Sequence, residues 1–215
     1  MIDIDLRDLV AFDEMLALFP DRVQQAASMA INQTAKREAL GRVRRDMRKQ
    51  INWKESYLSD PKKTGIGKLA SRTRLEATIY ARDRPTMLNR FRPNPNLIPA
   101  KGKQQRGVTV RVKPNNTKVL RKAFVVALGK RKNSDDVADG KRKNIAVMMR
   151  TKGGASEPPK GITHGGGRYI SSMRAWLLYA PSIDQVMQDT AERNADKIAQ
   201  YLQTEFLRQF ERLGK

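Results

Sequence analysis

Apolar positions follow three successive rhythms along the chain. From Arg22 to about Ile51, the residues Val23, Ala26, Ala27, Ala30, Ile31, Thr34, Ala35, Leu40, Val43, Met47 and Ile51 recur at near-helical spacing. Pro20 and Asp21 stand where a helix begins, with the acid near the positive end of the dipole. The pattern predicts a helix over 21–51, a rod of roughly 45 Å at about 1.5 Å per residue. Its first half is rich in Ala and suited to close packing. Its second half, KREALGRVRRDMRKQ, is basic on the exposed face. Ahead of it, Ile2, Ile4 and Leu6 alternate, which fits either an edge strand or the lead-in to a helical turn around Leu9 to Leu18.

In the middle of the chain the period falls to two. Candidate strands run over 69–81, 107–113, 123–128 and 145–150, with a short fifth from Trp176 to Tyr179. GVTVRVK alternates and is expected to be half buried, whereas AFVVAL and IAVMMR are more continuously apolar and are expected to be central. Asn52 to Lys68 mixes a short amphipathic piece (Trp53, Tyr57, Leu58) with turn chemistry in SDPKKTGIGK. After Pro181 and Ser182 the helical period returns through Ile183, Val186, Met187, Thr190, Ala191, Ala195, Ile198, Leu202, Phe206 and Phe210, predicting a helix over 182–212 with Gly214 as its stop. The strands are too closely spaced for helical crossovers. The expected fold is therefore α+β, one domain over 1–215 in which a small, mainly antiparallel sheet of three to five strands is flanked by a long N-terminal and a long C-terminal helix, with extended basic loops.

Composition changes that picture in one respect. Hydrophobic residues are 39% of the 215, enough for one core but below the usual globular share, so part of the chain is expected to lie outside it. Arms are expected at 84–106, 129–144 and 151–168, each longer than an ordinary hairpin loop. Lys and Arg number 43 against 22 Asp and Glu, a net charge of +21, and Arg84 to Lys143 alone holds 17 of the bases against three Asp. Such a balance points to an anionic partner: nucleic acid, an anionic membrane surface or an acidic protein. The candidate contact residues for DNA or a neighbouring subunit are Lys130, Arg131, Lys132, Lys141, Arg142 and Lys143, on a loop joining two predicted strands, and Arg90, Arg92, Lys101, Lys103 and Arg106 on the preceding arm. Their chemistry is suited to phosphate rather than to bases, and only Phe91 among the arms offers an aromatic face.

Catalytic chemistry has little to stand on. With no cysteine, disulfides and thiolate metal sites are excluded. His164, the single histidine, lies in the glycine-rich HGGG, without the G-x-S-x-G elbow that an esterase would add. GIGK lacks the spacing of a phosphate loop and reads as a turn, and Asp135, Asp136 and Asp139 match no calcium loop. No enzymatic activity, cofactor or metal is expected. Acids at the N-terminus and the lack of a spanning apolar stretch point to no membrane and to a place in the cytoplasm, or in something assembled there.

Four segments, taken in order from Met29 to Met187, carry a family likeness: MAINQTAKREALGRVRRDMRKQI, LEATIYARDRPTMLNRF, GVTVRVKPNNTKVLRKAFVVAL and LLYAPSIDQVM. Together they resemble the Z-type minor tail proteins, the tail-completion proteins of long-tailed bacteriophages and prophages. The resemblance implies a structural virion protein at the head-proximal end of the tail, joining tail to head connector around the DNA channel. It implies a homo-oligomeric ring, commonly a hexamer, with tail tube or terminator and head connector proteins as partners. Its place would be the tail or neck of the virion, after assembly in the host cytoplasm. It brings no active-site residues. Arms that order only on assembly suit such a subunit. The alternative from another class is a sequence-nonspecific nucleic-acid-binding protein.

Overall fold

Six residues spaced by four, Ala27, Ile31, Ala35, Ala39, Val43 and Met47, are all fully buried. In a straight α-helix four residues overshoot one turn by about 40°, so five such steps would carry the stripe about 200° around the axis. The helix meets this with a wider turn. In a computed structural model that describes residues 2–4, 20–95, 107–128, 144–151, 159 and 166–214, α1 (Pro20–Gln33) passes through a π-helical stretch, Thr34–Ala39, into α2 (Leu40–Gln50). Bonding to the fifth residue places more residues in each turn, which absorbs part of the drift and keeps the stripe on one side.

The described chain divides into two compact units: Met1–Gln50 with Lys54–Arg84 and Ile183–Lys215, and Ile51–Trp53 with Pro85–Ser182. In the first, α3 is a single turn (Glu55–Leu58), and α4 (Ile183–Arg212) packs along α1, the π stretch and α2. Its apolar stripe, with Ile183, Met187, Ile198, Leu202 and Phe206 all buried, closes the core. Burying each such side chain contributes roughly 1.5–3 kcal/mol before entropy is subtracted. Polar pairs fix the register of the helices: Gln50 donates to the Thr190 hydroxyl at 2.9 Å, and that hydroxyl donates to the Val186 carbonyl at 2.6 Å. Arg22 donates to the Phe210 carbonyl from Nε and Nη2, at 3.0 and 2.6 Å, satisfying a carbonyl in the last turn of α4. A three-stranded antiparallel sheet completes this unit, with β3 (Ala77–Ala81) between β1 (Ile2–Ile4) and β2 (Thr64–Lys68).

The second unit holds two more sheets. One contains β4 (Pro85–Met87), β7 (Ala123–Leu128), β8 (Asn144–Met149), β9 (Gly167–Ile170) and β10 (Ala175–Ser182), in the order β4-β10-β8-β7 with β9 also on β10. The other is a two-stranded ribbon of β5 (Val108–Lys113) and β6 (Asn116–Leu120). Every ladder among the described residues is antiparallel. One face of the larger sheet is sealed by Ala146, Met148, Ala175 and Leu177, with Met87, Phe124, Val126, Leu128, Ile170 and Tyr179 packed around them.

The α+β class, the antiparallel pairing and both long helices agree with the sequence. Details differ. Strands are spread over three sheets, because 107–113 pairs with Asn116–Leu120 and 77–81 with its own neighbours. The expected strand over 69–81 begins only at Ala77, since Ser71 and Arg74 close a tight turn before it. GIGK is not a turn but part of β2, where a Cβ on Gly65 would lie 2.7 Å from the Tyr80 hydroxyl: glycine is there to let that ring cross. AFVVAL is an edge strand that hydrogen-bonds only β8 among the described residues, while the short fifth strand becomes the eight-residue β10 at the centre. Residues 85–91 of the first arm form β4 and a 3₁₀ turn (Leu88–Phe91), and β9 takes the end of the third. The alternating start is an edge strand at Ile2–Ile4, whereas Leu9 to Leu18 lies outside the described residues.

Candidate polyanion-binding surface

Charge is divided unequally between the units. Pro85–Ser182 and Ile51–Trp53 hold 21 Lys and Arg against four acids, a net +17, which leaves 22 against 18, or +4, on the first unit. The four acids, Asp135, Asp136, Asp139 and Glu157, all lie outside the described residues. The described part of the second unit therefore contains ten bases and no acid of its own.

In the first unit, bases are answered locally. Arg42 pairs with Glu38, Arg48 with Glu55, Lys49 with Asp46, Lys63 with Asp60, Arg74 with Glu76, Arg193 with Asp189 and Arg208 with Glu205. The basic run of α2 is thus largely spent inside its own unit. In the second unit two of the described bases meet neutral groups. Arg150 lies over the Phe124 ring, 5.1 Å from its centroid, and Arg111 reaches Asn115 at 3.4 Å, too long to be strong.

Two of the residues singled out from the sequence are described, and one short turn places both. With three residues per turn, Leu88 and Phe91 of the 3₁₀ turn fall on the same side, and both are buried. Arg90 is thereby turned outward and is exposed. Arg92 follows in extended backbone and is half-buried, donating to the Asn89 side-chain oxygen at 2.8 Å, while Asn89 donates to the Pro95 carbonyl at 3.0 Å. Burial pulls the Arg92 guanidinium below its ordinary value. A guanidinium starts so high that it keeps its charge, now less hydrated than a surface cation.

Lys101, Lys103, Arg106, Lys130, Arg131, Lys132, Lys141, Arg142 and Lys143 lie outside the described residues, as do His164 and the Asp135 cluster. Leu128 pairs with Asn144 at one end of the β7–β8 ladder.

The structure adds bases that sequence reasoning passed over. Arg111 and Lys113 on β5, Lys118 on β6, and Arg121 and Lys122 beyond it are all exposed. Their ribbon turns at Pro114 and Asn115, and Asn115 takes φ 59°, the residues that a type II turn uses. PNN between two alternating runs was the available signal. On the root side, Val108 and Val110 are buried, and Asn52 donates to the Val112 carbonyl at 2.7 Å. On the other side β6 has no strand partner but β5 among the described residues, and Asn116 to Val119 are exposed. Among the described residues no group of His, Asp and Glu could hold a metal ion, and no helix is long and apolar enough to cross a membrane. No family model, curated protein or solved structure matches the chain.

Proposed function

We propose that this chain is a structural subunit of a long-tailed phage, a tail-completion or neck ring protein that joins the tail to the head connector around the DNA channel. Two things support the reading. The ordered segments from Met29 to Met187 resemble the Z-type minor tail proteins. The observation that carries most weight is the division of charge: a nearly neutral body of helices and a unit of net +17 whose described residues hold no acid. A ring subunit beside DNA needs this combination, a body able to pack against copies of itself and a part whose counter-charge comes from outside. Its partners on this reading are further copies of the chain, tail tube or terminator proteins, head connector proteins and DNA phosphate. It has no catalytic step. The same basic unit also favours a second reading, a sequence-nonspecific nucleic-acid-binding protein. Sizing the purified chain and imaging it in negative stain separates the two. Closed rings, commonly six-membered, are expected; a monomer that coats DNA without forming rings would favour the second reading.

A further inference from the structure

The β5–β6 ribbon is an exposed basic element. From Val108 to Lys122 it carries five bases, no acid and no aromatic ring. β6 is exposed along Asn116 to Val119 and pairs only with β5 among the described residues, so its side chains are open on both faces. Asn115, Asn116 and Thr117 at the turn add short neutral donors between Lys113 and Lys118.

We propose, resting on the reading of the second unit as the anion-facing one, that this ribbon contacts the backbone of duplex DNA. Arg111, Lys113, Lys118, Arg121 and Lys122 neutralise phosphates, and no base is read. Three features select this partner over other polyanions. A protein partner would need a buried apolar or aromatic anchor at the centre of the contact, and the ribbon exposes only one large apolar side chain, Val119. Single-stranded nucleic acid is gripped by stacking on aromatic rings, which the ribbon lacks. Phosphate contacts ask only for Lys, Arg, amide, hydroxyl and backbone N–H donors, the groups present at the turn. Size agrees as well: two strands about 4.8 Å apart form a ribbon that the major groove, about 12 Å wide, admits.

The anchoring of the ribbon makes contact productive. Val108 and Val110 are buried, Asn52 holds Val112 from the far edge, and Gly107 allows β5 to begin against Leu120 and Arg121, where a Cβ would lie 2.9 Å from the Leu120 carbonyl oxygen. A fixed ribbon loses less conformational freedom on binding than a flexible tail.

The test titrates the full-length chain against a mixed-sequence duplex across salt concentrations. Arg111, Lys113, Lys118, Arg121 and Lys122 are changed together to Gln, and a control removes the same charge from exposed positions of the first unit, Lys54, Lys62, Lys68, Arg72 and Lys197. The log–log slope of the ribbon variant is expected to flatten by about 0.9 for each phosphate that is no longer neutralised. The control should leave the slope near wild type, and melting should be unchanged in both because the side chains are exposed. Equal flattening in both variants, or a wild-type slope in the ribbon variant, overturns the proposal, as does ribbon-dependent binding of polyglutamate with DNA binding untouched. Ring formation is scored on the same samples. Rings that show no salt-dependent duplex binding overturn the ribbon's role and leave the ring reading standing, whereas ribbon-dependent binding by a chain that never forms rings does the reverse.

Discussion

Arg44 donates from Nε to the Thr64 hydroxyl at 2.8 Å and from Nη2 to the Thr64 carbonyl at 2.9 Å. The same hydroxyl donates to the Leu58 carbonyl at 2.6 Å, and Thr64 is fully buried. A base in the most basic run of α2 is thus a bolt between helix and β2, and burial pulls its guanidinium below the ordinary value against a smaller opposing effect from Tyr80. Thr64→Val keeps the shape but removes an acceptor from Arg44 and a donor from Leu58. It is expected to lower stability by about 1–3 kcal/mol, the usual cost of a buried group left unpaired. The salt dependence of DNA binding should be unchanged. Chemical denaturation alongside the salt titration measures both, and a wild-type unfolding midpoint would show that these bonds are dispensable.

Gly107 has φ +104°, a conformation that side chains rarely adopt, and a Cβ there would press on Leu120 and Arg121. Gly107→Ala is expected to cost roughly 1–3 kcal/mol. The damage should be local. Hydrogen exchange should speed up at amides of Val108 to Leu120 and remain slow in α4; uniform change across the chain would contradict the ribbon's separate anchoring.

Two carboxylates of the first unit set its response to acid. Glu205, buried on α4, is held below the usual range by its hydrogen bonds from Arg208, with further help from Gln209 and the nearby Arg37 charge, and burial opposes them. Asp46 is lowered in the same direction, first by its bond from Lys49 and then, against burial, by one from Asn194. A carboxylate with a depressed folded value binds its proton less readily folded than unfolded. Each therefore stabilises the fold above the unfolded value, about 3.9 for Asp and about 4.3 for Glu, and that contribution fades as pH falls through the folded value. The melting temperature should drop on that acid limb, and Glu205→Gln should make the drop shallower. An unchanged limb in the variant would mean that Glu205 does not carry it.

The long helices were legible because period dominates local detail: Val23 to Met47 and Ile183 to Phe206 put their apolar residues on one side whatever the intervening charges. The strict spacing of four from Ala27 to Met47 was also written in the chain, and it is this overshoot that the Thr34–Ala39 stretch takes up. Strand rank was harder to read. AFVVAL looks central by apolarity, yet Phe124, Val126 and Leu128 stay half-buried at the sheet's edge while the Tyr- and Pro-bearing AWLLYAPS takes the middle. Gly65 and Gly67 hid β2, and the reason for Gly65 is a ring on the partner strand, Tyr80, fifteen residues on. Net charge was visible from composition. That ten described bases share a unit with no described acid was not, because that unit is assembled from separated pieces of chain.

Pro85 pairs with Ser182, and just outside that pair the Asp184 amide donates to the Arg82 carbonyl at 3.2 Å. Nearly all of the basic unit is therefore an insertion that enters and leaves the chain at one place. A short turn from Arg84 to Ile183 would excise it and leave the order of the helices intact. From upstream only Ile51–Trp53 belong to it, and Ile51 and Trp53 are buried, at 6% and 4% exposure, so a trimmed chain would need polar residues at those two positions. With one point of entry and exit, the cassette can be lengthened, shortened or recharged without rethreading α1, α2 and α4.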